Sequence, residues 1–157
     1  MTVAVGQPAP PFTLPGIEPG VEDLERRDFT LDDAAGTPVV LVFYPADHSP
    51  VCTVQLQTYS HDIAEFADIG ARVLAISPQS VDEHEGFAAE HGLAFPLLAD
   101  EGKKVGEAYG ILGPLGFYRR SIFVIDPEGI VRYAHRATAG LTFRPVHEIV
   151  DAVRALA

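Results

Sequence analysis

Apolar residues repeat along the chain with two different periods, and the alternation of these periods predicts an α/β fold. A continuous apolar run at 39–44 is typical of a strand that is covered on both faces of a sheet, and the largely apolar segment 71–77 predicts a second buried strand. After the first run, apolar residues recur at helical spacing over 52–70, which predicts one helix closed by a glycine. A second helix is predicted at 80–92, again with a glycine at its end.

The remaining segments are shorter and complete the predicted sheet. Extended pieces are predicted by short apolar stretches between turn residues, at 6–20, 21–36, 95–100, 121–126 and 130–137. A short helix is expected at 101–110, weakened by Gly106, and an amphipathic helix from Pro145 onward closes the chain. This order predicts one α/β domain, 1–157, in which helices flank a mixed sheet.

Composition and charge limit the classes of function. The 157 residues carry a formal net charge of -11, and the charges are dispersed, so the acidic surface opposes nonspecific binding of nucleic acid. No apolar run is long enough to span a membrane, and Met1 is not followed by a secretory signal. A single cysteine excludes an internal disulfide and is compatible with a reducing compartment. We therefore expect a cytoplasmic protein with neither nucleic-acid nor membrane partners.

The histidines do not predict a metal site. None of the six pairs with a cysteine or with another histidine at the i, i+4 spacing of zinc sites, so no metal and no cofactor is expected. His48 lies close to the cysteine, but the sequence shows no group that would orient it as the base of a hydrolase. His48 is instead expected at the mouth of a pocket, with tuning of the substrate or pH response as the alternative.

Cys52 is the candidate nucleophile. It follows the strand at 39–44 and lies at the start of a helix, and Pro50 suits the entry to that helix. The helix dipole and the free N–H groups of a first turn stabilise a thiolate. Reacting groups also gather beyond the carboxyl ends of strands in open α/β sheets. On position alone, an inert buried cysteine remains the alternative.

The residues before Cys52 resemble the peroxiredoxin motif. Pro45, Ser49 and Cys52 match the pattern P-x-x-x-[TS]-x-x-C, with serine where most members carry threonine. The segment 37–56 resembles the bacterioferritin-comigratory, or Q-type, branch, and the likeness covers nearly the whole chain. This resemblance implies a thioredoxin-like fold, with a central mixed β-sheet flanked by helices and an N-terminal β extension.

The later part of the chain carries a second element of the resemblance. The family's active-site arginine lies three residues before a phenylalanine, and Arg120 and Phe123 have this spacing. Arg119 is the rival, but neighbouring residues on a strand point to opposite faces, so only one of the two arginines should face the cysteine. The spacing to Phe123 favours Arg120, and Arg119 is expected at the rim of the site or in solvent.

The resemblance also implies a reaction. The Cys52 thiolate would attack a hydroperoxide and become a sulfenic acid, while Arg120 stabilises the negative charge. The Ser49 hydroxyl would contact the peroxide and the sulfur, and Pro45 would shield the site. Further contacts are expected from Tyr44, His48 and the backbone N–H of Val51.

Gln57 lies where many members of this branch carry a second cysteine. The prediction is therefore a one-cysteine peroxidase, which is reduced by a thioredoxin-like protein, a glutaredoxin-like protein or a low-molecular-weight thiol. Whether Gln57 is the natural residue or an engineered replacement stays open. Gln55 excludes a C-x-x-C pair and is expected either to hold the backbone of the helix entry or to be solvated. A redox sensor is the alternative function, and the expected state is a monomer or a weak homodimer.

Overall fold

Seven strands form one sheet in the part of the chain that the computed structural model describes, which is residues 3–19, 23–47, 49–137 and 143–156. The strands are β1 (Thr13–Pro19), β2 (Leu24–Thr30), β3 (Val39–Phe43), β4 (Arg72–Ser77), β5 (Leu97–Ala99), β6 (Ser121–Ile125) and β7 (Val131–Arg136). Their order across the sheet is β2-β1-β5-β4-β3-β6-β7. Strands β3, β4 and β5 run parallel and the other pairings are antiparallel, so the predicted mixed sheet is confirmed.

The described helices cover both faces of this sheet. They are α1 (Pro50–His61), α2 (Ile63–Asp68), α3 (Val81–His91), α4 (Lys104–Ala108) and α5 (Val146–Arg154), with 3-10 turns at Leu31–Ala34 and Pro114–Gly116. Along β3, Val40 and Val42 pack in a core that also holds residues of α1, α3 and α5. Leu41 and Phe43 face a second core, which includes residues of α4 and the N-terminal segment. None of the described helices has the length and apolar character of a membrane span.

The helix that was predicted as continuous over 52–70 is two helices. It begins at Pro50, stops at His61, and resumes as α2 after Asp62, whose ψ of 17° departs from the helical value. The apolar spacing continues through this break, since Tyr59 and Phe66 are both buried in the same core. Periodicity alone therefore did not reveal the interruption.

Gly106 was expected to weaken α4, but its place in the fold requires a glycine. A Cβ atom built at Gly106 would lie 2.7 Å from Cε1 of Tyr118. The Tyr118 hydroxyl donates to the carboxylate of Asp100, which also accepts the N–H of Gly106 at 2.9 Å. The ring is therefore held against the helix, and the close approach outweighs the poor helix propensity of glycine.

The strand register brings the two ends of the candidate site together. Phe43, the last residue of β3, pairs with Ser121, the first residue of β6. Arg120 therefore lies beside the end of β3, where the chain turns towards α1. The carbonyl oxygen of Arg120 accepts the N–H of Ala137, so the residue before β6 is hydrogen-bonded to the residue after β7.

Candidate active site

Cys52 lies in the first turn of α1 and has no exposed surface. Ser49 is the N-cap of this helix, and its Oγ accepts the N–H of Cys52 at 3.3 Å. Pro50 follows as the first helical residue, where the missing N–H costs no hydrogen bond. The carbonyl oxygen of Ser49 accepts both the N–H and the hydroxyl of Thr53. Local capping chemistry thus places the thiol at the positive end of the helix dipole.

Arg120 is the cation beside the sulfur. It is 4% exposed, and its Nη2 lies 3.2 Å from Sγ of Cys52. Arg119 points away, because its Nε donates to the carbonyl oxygen of Ala137 at 2.8 Å and its Nη2 donates to that of Arg136. Only one of the adjacent arginines therefore contacts the thiol, and it is the one that the spacing to phenylalanine favoured.

Both expectations for Gln55 were wrong. The side chain is fully buried, and its Oε1 accepts a hydrogen bond from Nη1 of Arg120. The reason is helical geometry: Gln55 is one turn after Cys52, so it lies on the same face of α1 and meets the guanidinium that approaches the sulfur. One arginine thus joins Cys52 and Gln55 through two of its nitrogens.

The remaining candidates lie in the turn between β3 and α1. Tyr44 is fully buried in the same core as Cys52, and burial next to Asp47 raises the pKa of its phenol well above the usual range. Pro45 and Val51 are half-buried, and Val51 contributes its N–H to the first turn of α1. His48 lies outside the described residues.

A polar cluster next to this turn was missed. Asp47 and His84 are both buried, and His84 Nδ1 lies 2.7 Å from Asp47 Oδ2. Asp82 and Glu83 lie in the first turn of α3, and the histidine that follows them turns inwards. The sequence did contain one signal for the burial of His84, which is its position three residues before Phe87 on the same face of α3.

No three of the His, Cys, Asp and Glu side chains in the described residues are grouped as metal ligands. The described site brings together the Cys52 thiol, the Arg120 guanidinium, the Gln55 amide, the Ser49 hydroxyl and the N–H groups of a helix start.

Comparison with known proteins gives consistent results. Residues 5–134 match the model of the AhpC/TSA family. The chain is 35% identical over 156 residues to chloroplastic peroxiredoxin Q from Sedum lineare, covering 98% of this chain and 78% of that protein. It is 35% identical over 138 residues to peroxiredoxin bcp from Coxiella burnetii, and the match covers 83% of this chain and 87% of that protein. Among solved structures, AhpC from Mycobacterium bovis superposes on this chain with a TM-score of 0.88 and 27% sequence identity. The match covers 99% of this chain and 93% of the AhpC chain. This likeness confirms the predicted fold class.

Proposed function

The chain belongs to the AhpC/TSA family, and from this premise we propose that Cys52 reduces hydrogen peroxide and organic hydroperoxides at the expense of an external thiol. The observation that carries the proposal is the contact of 3.2 Å between Cys52 Sγ and Arg120 Nη2, made where both side chains are shielded from water. A permanent cation next to sulfur favours the thiolate, which is the nucleophilic form.

In the oxidation step, the thiolate attacks the nearer oxygen of the hydroperoxide. An S–O bond forms as the O–O bond breaks, and the leaving oxygen takes a proton to become water or an alcohol, so that Cys52 is left as a sulfenic acid. Negative charge moves from sulfur to the leaving oxygen during this step. Arg120 donates to that charge from a fixed position, because Gln55 holds its other terminal nitrogen.

The turn before α1 supplies the other proposed contacts. Ser49 uses its oxygen to cap the N–H of Cys52, which leaves its hydroxyl proton available to the peroxide. Val51 offers a backbone N–H in the first helical turn, where anions bind. Pro45 and Tyr44 form the apolar side of this turn. His48 stays a prediction, at the mouth of the site.

Reduction requires a thiol from outside the chain, because Cys52 is the only cysteine. A first thiol attacks the sulfenic sulfur, releasing water and forming a mixed disulfide. A second thiol then releases Cys52 and leaves as half of a disulfide. We propose a thioredoxin-like protein, a glutaredoxin-like protein or a low-molecular-weight thiol as the donor, and a cytoplasmic monomer or weak homodimer as the working form. Gln57, which is exposed and hydrogen-bonded to His91, offers no thiol at that position.

The test follows the mass of the intact protein after exposure to one equivalent of hydrogen peroxide, with and without a sulfenic-acid probe. We expect the chain to acquire the probe, and Cys52→Ser to acquire none. If the wild-type chain gains neither oxygen nor probe, the proposal is wrong. Turnover with a panel of thiol donors then separates a peroxidase from a sensor, because a sensor reacts once and stops.

A further inference from the structure

A buried polar cluster joins the turn before α1 to α3 and β5, and the peroxidase chemistry above does not use it. His84 is fully buried and Asp47 is 5% exposed. His84 Nδ1 lies 2.7 Å from Asp47 Oδ2, and His84 Nε2 lies 2.9 Å from the carbonyl oxygen of Leu98. The Tyr44 hydroxyl donates to the other oxygen of Asp47 at 2.6 Å.

Both ring nitrogens of His84 lie within hydrogen-bond distance of an oxygen atom. A neutral imidazole carries one N–H and a carboxylate carries no proton, so the two hydrogen bonds need one further proton. The carbonyl oxygen of Leu98 only accepts, so His84 Nε2 carries a proton. In a neutral imidazole, Nδ1 then has a bare lone pair, which would face an oxygen of Asp47 at 2.7 Å. A hydrogen bond at this distance requires a further proton, on Nδ1 or on Oδ2. Tyr44 does not supply it, because its own proton is directed to Oδ1.

We propose that His84 is a positioning residue for the Cys52 reaction, and that the proton it shares with Asp47 holds the turn between β3 and α1 in its reactive geometry. Asp47 lies two residues after Pro45 and two before Ser49, the N-cap that binds the backbone of Cys52. Fixing Asp47 to α3 and β5 therefore fixes the turn that presents the thiol. The inference rests on the proposed function, because it concerns the rate at which Cys52 is oxidised.

Without the shared proton the interaction would be reversed. The lone pair of His84 Nδ1 would face the Asp47 carboxylate, and the two would repel each other. The Tyr44 hydroxyl lies 2.6 Å from Asp47 Oδ1 and 3.3 Å from His84 Nδ1, so it can bind only one of them well. The turn would then not be held from α3, and Cys52 would be oxidised more slowly.

The other charges around the imidazole do not replace this proton. Among the described residues, the titratable groups that contact His84 come from the turn, namely Asp47 and Tyr44, and the charge of Cys52 acts on the Tyr44 phenol. The contact from strand β5 is a backbone carbonyl. The acids of α3 itself contact other groups, in the pairs Arg26–Asp82, Arg26–Glu85, Ser80–Glu83 and His91–Glu90.

Asp47→Asn tests the proton count directly. An asparagine amide donates an N–H to the bare Nδ1 of His84 and accepts the Tyr44 hydroxyl, so the cluster is complete with a neutral imidazole. We expect Asp47→Asn to keep the oxidation rate of the wild-type protein, measured by competition with a second peroxidase. Asp47→Leu offers His84 no hydrogen-bonding group and should lower that rate on the order of 10- to 100-fold. Rescue by the amide, and not by the apolar side chain, is the readout.

Two further variants complete the series. His84→Gln should lower the oxidation rate on the order of 10- to 100-fold. His147→Gln is the matched control, since His147 is exposed on α5, and it should keep the wild-type rate. Nitrogen-15 NMR of the His84 ring gives a readout that does not depend on turnover. We expect the Nδ1 resonance to differ between the wild-type protein, where this atom shares a proton with Asp47, and Asp47→Asn, where it only accepts.

The outcomes separate this inference from the proposed function. An equal loss of rate in Asp47→Asn and Asp47→Leu would overturn the positioning role, as would an Nδ1 resonance that Asp47→Asn leaves unchanged. These two measurements decide the matter even if His84→Gln does not fold. If Cys52 reacts with peroxide in none of the proteins, the proposed function fails and the positioning role with it, whereas the NMR spectra still show whether His84 and Asp47 share a proton.

Discussion

Replacement of Gln55 by leucine tests whether the amide beside Arg120 is part of the reaction. Leucine has a similar volume and keeps the helix, but it removes the oxygen that accepts from Nη1 of Arg120. A hydrogen bond to a charged group contributes about 1.5–3 kcal/mol. If that whole amount is lost from the transition state, the second-order rate of Cys52 oxidation falls by a factor of about 10 to 150.

The assay is competition between the protein and a second peroxidase for limiting hydrogen peroxide, which reports the oxidation step without the thiol donor. Gln57→Leu is the matched control. It is the same substitution in the same helix, but Gln57 is exposed and hydrogen-bonds only to His91 among the contacts described for it. Urea unfolding of both variants separates loss of rate from loss of fold.

Three results would contradict this reasoning. Gln55→Leu could be folded and as fast as the wild-type protein, which would show that Arg120 needs no support from the amide. Its stability could fall while the rate of oxidation stays the same, which would make Gln55 a purely structural residue. Gln57→Leu could lose as much rate as Gln55→Leu, which would place the effect in the helix and not in the contact with Arg120.

Three other predictions concern the same site and the helices around it. Arg120→Lys keeps the charge but replaces the two guanidinium nitrogens that reach Cys52 and Gln55 with a single ammonium nitrogen. It should therefore slow peroxide oxidation on the order of tenfold in the competition assay, whereas Arg119→Lys should change it little. Ser49→Ala should lower the free energy of unfolding in urea by about 1 kcal/mol through loss of the N-cap, and equal stability would show that the cap is dispensable. Gly106→Ala should destabilise the protein by about 1–3 kcal/mol, because its Cβ would meet a tyrosine ring at 2.7 Å. Gly86→Ala, in α3 with no atom within 4 Å of its Cβ, should stabilise it by up to about 1 kcal/mol, and the same sign for both glycine variants would refute the packing argument.

Pro45, Ser49 and Cys52 were predictable because they form one short motif that resembles a known family. The capping role of Ser49 was not predicted, and the structure shows it three residues before the N–H that it accepts. The choice of Arg120 over Arg119 rested on the family's spacing to Phe123 and on the alternation of side chains along a strand.

The supporting residues depend on contacts between distant parts of the chain. Gln55 could be assigned to the face of Cys52, but its partner Arg120 lies 65 residues later in the chain, and only the register of β3 with β6 brings them together. His84 stands among acids that are exposed, and its burial depends on Asp47 and on the carbonyl oxygen of Leu98. No local pattern contains these distances.

The complete burial of Cys52 affects the oxidation and the reduction steps of the proposed cycle differently, because their two reactants differ in size. A hydroperoxide has few atoms, but the thiol of a protein can bond to the Cys52 sulfur only if the backbone that carries it also comes close. We therefore expect the closed site to admit the oxidant more readily than a protein reductant. We expect turnover to saturate with a protein thiol at a ceiling set by how often the turn opens, while the rate of the oxidation step stays proportional to peroxide concentration.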